Sequence, residues 1–158
     1  MALRKIASIP VALAVLLAMA VGLIGMAKSA TADNGGRPFS TTLTGEAEVT
    51  AAGVPNQGDL DGTGTAFMTL NLGQGEICYS LSVSGIAPAA AAHIHVGAAD
   101  TTGPVVVPLA APTSGESSAC AIVDRELIKA IIQNPANYYV NVHNAAFPAG
   151  ALRGQLGK

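Results

Sequence analysis

Between Glu76 and Ser84 the chain alternates without a break: Ile77, Tyr79, Leu81 and Val83 are apolar, and Cys78, Ser80, Ser82 and Ser84 lie between them. A strand sends successive side chains to opposite faces, so a period of two calls for an extended segment with one buried face. The same alternation recurs, in shorter or less regular form, at 40–49, 64–72, 92–96, 104–109, 117–122, 137–143 and 150–156. Clusters such as Asn56-Gln57-Gly58-Asp59 and Gly73-Gln74-Gly75 separate the runs and supply the turns that antiparallel neighbours need. One stretch departs from this pattern. After Asp124, a suitable N-cap, Leu127, Ile128, Ile131 and Ile132 fall at helical spacing, and Asn134-Pro135 is a stop. Many short strands and a single helix predict an all-β domain, an antiparallel Greek-key β-sandwich or barrel with one short helix. Parity assigns Cys78 to an outer face or sheet edge. Phe39 and Phe67 are expected in the core, and Glu46 and Glu48, on one face of the first strand, in solvent.

The amino terminus bears on the compartment. Arg4 and Lys5 precede an apolar run from about Ile9 to Met26, and Ala30-Thr31-Ala32 follows with small residues at alternate positions. Residues 1–32 read as a secretory signal peptide. The alternative is an uncleaved anchor, since the run is as long as a short membrane span of roughly 17 to 20 residues. Both readings place the folded part outside the cytoplasm, secreted, periplasmic or at the cell surface, with the membrane touched only through this segment. Residues 33–38 form a polar linker, and 39–158 a single domain. Beyond residue 32 the chain keeps five basic and all ten acidic residues, a net charge of −5, with no Trp. That balance excludes nucleic acid as a partner, because phosphate binding needs basic charge and single strands need stacking rings. Cys78 and Cys120, in an oxidising compartment and without CxxC spacing, are expected to form a disulfide.

All three histidines fall in two strand motifs, Ala92-His93-Ile94-His95-Val96-Gly97 and Tyr139-Val140-Asn141-Val142-His143-Asn144. His93 and His95 share a strand face roughly 7 Å apart at their backbones, close enough to reach one metal ion. Parity opposes Val140 and Val142 to Tyr139, Asn141 and His143, and Leu152 and Leu156 to Arg153 and Gln155. If the three strands share a sheet, His93, His95 and His143 form a three-histidine site for copper or zinc on its outer face. Arg153, Asn141 and Tyr139 stand beside it, to orient the imidazoles or attract an anion. Asp100 or Asp124 would serve as a fourth ligand or as an orienting partner. The bland alternative is a set of histidines on a polar face. Gly58-Asp59-Leu60-Asp61-Gly62 resembles the start of a calcium loop but lacks the later ligands, and reads as a solvated turn.

Taken together, Ala92-His93-Ile94-His95-Val96-Gly97, Gly103-Pro104-Val105-Val106-Val107, Asn134-Pro135, Tyr138-Tyr139-Val140-Asn141-Val142-His143 and Gly150-Ala151-Leu152-Arg153-Gly154-Gln155-Leu156 resemble the CHRD domain, the repeated module of chordin. The resemblance spans nearly all of the chain beyond residue 38. It implies an extracytoplasmic β-sandwich, immunoglobulin-like or superoxide-dismutase-like, that occurs in bacteria as a small stand-alone secreted protein. It implies no established catalysis. The growth-factor role of animal chordin is not carried over, because the accompanying cysteine-rich domains are missing from this sequence. Copper/zinc superoxide dismutases also place a His-x-His pair on a Greek-key barrel beside an arginine, yet they use more histidines than three. No nucleophile elbow, Walker loop or HExxH is present. The expectation is therefore a binding module for an extracellular or envelope partner. The alternatives are a copper-dependent dismutase-like or other metal-dependent enzyme, and a structural or adhesive envelope protein without metal.

Overall fold

The computed structural model describes residues 35–157. The segment read as a signal peptide lies outside the described residues. Among these, no helix is long and apolar enough to cross a membrane. The strands are β1 (Arg37–Thr44), β2 (Thr63–Asn71), β3 (Glu76–Ser84), β4 (Ala89–Val96), β5 (Val105–Leu109), β6 (Glu116–Ile122), β7 (Tyr138–Asn144) and β8 (Leu152–Gln155). Between β6 and β7 runs a helix, α1 (Arg125–Gln133), followed by a short 3-10 turn, Pro135–Asn137.

All eight strands belong to one antiparallel sheet in the order β5-β4-β7-β8-β1-β2-β3-β6. Its two ends approach each other. Ser117 Oγ donates to the Ala110 carbonyl over 2.8 Å, and the Ala110 N–H donates to the Tyr79 hydroxyl over 2.6 Å. The sheet thus curls into a nearly closed barrel. β3, β6, β5 and β4 lie side by side around it, which is Greek-key connectivity, and the all-β expectation holds.

The alternating apolar residues turn inward as the period of two requires. Ile77, Tyr79 and Leu81 of β3, Ala66, Met68 and Leu70 of β2, Ile94 of β4, Val140 and Val142 of β7 and Leu152 of β8 form a continuous core. Ile128 and Ile131 of α1 bury against the same core. Asp124 caps that helix, its Oδ1 accepting from the N–H groups of Glu126 and Leu127 at 2.8 and 3.3 Å. Cys78 and Cys120 are disulfide-bonded and sit directly opposite each other on β3 and the edge strand β6, facing outward.

Three expectations are corrected. The first strand runs from Arg37 to Thr44 rather than over 40–49: the ladder to β2 already starts at Arg37 opposite Leu70. It ends where Gly45 packs against the backbone of Asp59 so closely that a Cβ there would have no room. Glu46 and Glu48 consequently lie in the following loop, Glu46 exposed and Glu48 only 3% exposed. Phe67 is 50% exposed, because its neighbours Ala66 and Met68 take the inward positions of β2.

Candidate metal centre

β4, β7 and β8 are adjacent, so the three histidine-bearing and arginine-bearing strands do share a sheet. Across them the register pairs His95 with Tyr139 and Tyr139 with Gln155, then His93 with Asn141 and Asn141 with Arg153. All of these side chains leave the sheet on the face away from the core.

That face is not open to solvent, as an outer sheet face would be. Tyr139, Asn141 and Arg153 are 2%, 1% and 1% exposed, and His95 is 8%. Two loops cover them. The 45–62 loop is fastened by the Asp59 N–H to the Ala151 carbonyl at 2.8 Å, and it carries Glu48 down onto Asn141, whose Nδ2 donates to Glu48 Oε2 over 2.6 Å. Gly150 makes this possible, because a Cβ there would occupy the space of the Glu48 carboxylate and the Asn141 amide. The loop after β4 is held by Arg153 Nη2 donating to the Ala98 carbonyl at 2.6 Å and Gln155 Nε2 donating to the Gly97 carbonyl at 2.7 Å.

His93, His95 and His143 come together. One ring nitrogen from each lies within 4.8 Å of the other two. His95 Nδ1 is 2.8 Å from the Gly103 carbonyl and His143 Nδ1 is 3.2 Å from the Pro148 carbonyl. A carbonyl only accepts, so both Nδ1 atoms carry protons and both Nε2 atoms of the neutral rings carry lone pairs. This is the arrangement in which a backbone oxygen fixes the tautomer of a ligating histidine. His143 Nε2 lies 3.1 Å from His93 Nδ1. His95 Nε2 is buried with no hydrogen-bond partner among the described residues. Asn144 contributes indirectly: its Oδ1 accepts from the N–H groups of Ala146 and Phe147, shaping the loop that brings Pro148 to His143.

Burial pushes the affinity of all three imidazoles for protons below the ordinary histidine value, and neighbouring positive charge acts in the same direction. For His93 that neighbour is His95; for His143 it is chiefly His93. For His95 the bond to Gly103 partly offsets burial, while Arg153 adds to it. The rings are therefore neutral at pH 7, the form that ligates. Arg153 acts across Tyr139: its guanidinium carbon lies 3.5 Å from the centre of the tyrosine ring, and His95 stacks on the same ring with centroids 4.9 Å apart and planes within 8°. Burial also raises the Glu48 carboxyl above its usual value, against the opposing influence of Val49 N–H, Arg153 and Asn141.

Neutral imidazoles without thiolate or carboxylate suit zinc or copper and not calcium or magnesium. Tetrahedral bonds of about 2.1 Å place ligand nitrogens roughly 3.4 Å apart, a spacing inside the 4.8 Å that bounds these three. Asp124 is committed to its helix cap, and Asp100 lies on the side of Arg153, close enough for its charge to act on that guanidinium. A second cluster, Glu76, Cys78 and Cys120, has its sulfurs tied up in the disulfide. Asp59 and Asp61 belong to no ligand cluster among the described residues and lie in a turn closed by the Gly62 N–H on the Asp59 carbonyl. Glu48 is the site residue that sequence reading missed. Its partner Asn141 is 93 positions away, and no local signal marks it for burial.

The fold and the site together define a Greek-key barrel domain whose outward face carries a loop-covered cluster of three histidines. A family model described as the CHRD domain matches residues 39–156, and the chain belongs to that family. No curated protein and no solved structure matches the chain.

Proposed function

We propose that this CHRD domain works outside the cytoplasm as a binding module that takes up one copper or zinc ion on His93, His95 and His143. The observation that carries the reading is the buried His95 Nε2, a lone-pair nitrogen without a partner among the described residues, beside two further imidazole nitrogens. Leaving a buried polar atom unpaired costs about 1–3 kcal/mol, and a bound cation removes that cost. The disulfide and the amino-terminal pattern of basic residues before an apolar run support the extracytoplasmic placement, and the partner is sought in the envelope or beyond it. Catalysis is no part of the proposal.

A metal-free adhesive or structural role is the second reading. It draws on the 3.1 Å contact between His93 and His143, which satisfies two of the three rings without an ion. One titration separates the two. The metal-free protein is titrated with Cu(II) and with Zn(II), beside a His93→Ala/His143→Ala variant whose fold is checked by circular dichroism. Saturation at one equivalent in the parent and none in the variant is the expected result. No uptake by the parent, or equal uptake by both, overturns the metal reading.

A further inference from the structure

The protons on the three imidazoles are not placed alike. His95 Nδ1 and His143 Nδ1 each face a backbone carbonyl, that of Gly103 and that of Pro148, so each ring keeps its proton there and offers Nε2. His93 is held differently, because its Nδ1 lies 3.1 Å from His143 Nε2, which is a lone-pair nitrogen for the reason just given. Two lone pairs repel, so between neutral rings the proton of this bond belongs to His93 Nδ1. The two nitrogens of an imidazole direct their bonds to different sides of the ring, and the bare Nε2 of His93 is turned away from His143. His93 is half-buried, and its Nε2, unlike that of His95, is not a buried atom without a partner. Water reaches it.

Ligand nitrogens on one tetrahedral ion stand roughly 3.4 Å apart. His93 Nδ1 and His143 Nε2, at 3.1 Å, are already near that spacing, with a proton between them. We propose that a metal ion taken up here is bound by Nδ1 of His93 and by Nε2 of His95 and His143, and that it replaces the proton that clasps His93 to His143 in its absence. This rests on the reading of the cluster as a metal centre and adds how the site is kept and filled. The exchange balances. The Nδ1–H bond of His93 breaks and an Nε2–H bond forms by way of water at the open edge of the ring. The ring stays neutral, the freed Nδ1 lone pair bonds the ion, and no proton is released overall. His95 and His143 need no such change, because their carbonyl partners hold the same tautomer before and after. The clasp also keeps two ligands together in the metal-free protein, which spares the ion the cost of gathering them.

The test is nitrogen NMR of the protein with labelled histidines, in which two-bond couplings between ring protons and ring nitrogens report which nitrogen of each imidazole carries its proton. In the metal-free protein at pH 7, His93, His95 and His143 should all be protonated at Nδ1. With one equivalent of Zn(II), His93 alone should carry its proton on Nε2 instead, and the other two should keep theirs. His143→Ala, its fold checked by circular dichroism, removes the acceptor, and metal-free His93 should then populate both tautomers. A metal-free His93 protonated at Nε2, a zinc-bound His93 still protonated at Nδ1, or a His93 unchanged by His143→Ala overturns the proposal and leaves the metal reading to its own titration. No uptake of zinc sinks both.

Discussion

Glu48 brings a carboxyl into a space bounded by Asn141, Gly150 and the Val49 N–H, and burial raises its proton affinity above that of the unfolded chain. As pH falls, the native state binds this proton before the unfolded state does. The resulting stabilisation is fully present below the unfolded value of 4.5 and is lost as pH rises through the folded one. Glu48→Gln keeps an acceptor for Asn141 Nδ2 and removes the titration. Its stability in urea is expected to equal or exceed the parent's at pH 7, with the difference vanishing toward pH 4. Glu48→Ala leaves the Asn141 amide unpaired and should cost about 1–3 kcal/mol at every pH. A Glu48→Gln protein markedly weaker than the parent at pH 7 would mean that the charge itself is needed beside Arg153. The histidines run the other way. Their folded values lie below 6.5, so the metal-free protein should lose stability as pH falls through 6.5 toward them, and the His93→Ala/His143→Ala variant should lose less. At this scale parity read the faces of His93, His95, Tyr139, Asn141, His143 and Arg153. It could not show that two loops would bury that face, because the contacts that do so, Glu48 to Asn141 and Arg153 to Ala98, join residues far apart in sequence.

Among the elements, the strands with the cleanest alternation were the most legible. The alternation from Glu76 marks β3, which runs from Glu76 to Ser84, and the helix begins one residue after the expected cap. β1 was read about three to five residues too late, because Glu46 to Val49 alternates like a strand while the close approach of Gly45 to Asp59 has already turned the chain. The disulfide holds the edge strand β6 to β3 and closes a separation of 42 residues. In the chain-entropy model a loop of that length stabilises the fold by about 3–4 kcal/mol. The Cys78→Ser/Cys120→Ser protein is expected to lose roughly that much in urea denaturation. Its metal stoichiometry should be unchanged, since β3 and β6 lie apart from β4, β7 and β8 in the sheet. Loss of the metal together with stability would count against a site that stands on the histidines alone. Gly150→Ala tests the covering loop, since its Cβ competes with Glu48 and Asn141 for space. A loss of about 1–3 kcal/mol is expected, the range for overpacking a buried site.

For the whole molecule, alternation implied a sandwich or barrel, but strand order is a matter of long-range pairing that no local pattern encodes. β4 meets β7 and β3 meets β6 across intervening elements, and only the structure supplies those partners. The same topology leaves one interval around the barrel without a ladder. Between β5 and β6 the closure depends on Ala110, held through its N–H by the Tyr79 hydroxyl and through its carbonyl by Ser117. Every other pair of neighbouring strands is joined by ladder pairs, down to the single pair Thr44–Arg153 between β1 and β8, so this interval is one where thermal fluctuation parts the wall cheaply. Deuterium should therefore enter the Ala110 amide long before the amides of β2 or β7. Tyr79→Phe, which removes the acceptor while keeping the ring in the core, should bring Ala110 to the exchange rate of an ordinary loop and leave the histidine resonances where they were. The barrel then behaves as a clasped band, whose resting shape is set by its strands and whose breathing is set by a phenol and a hydroxyl that grip one alanine.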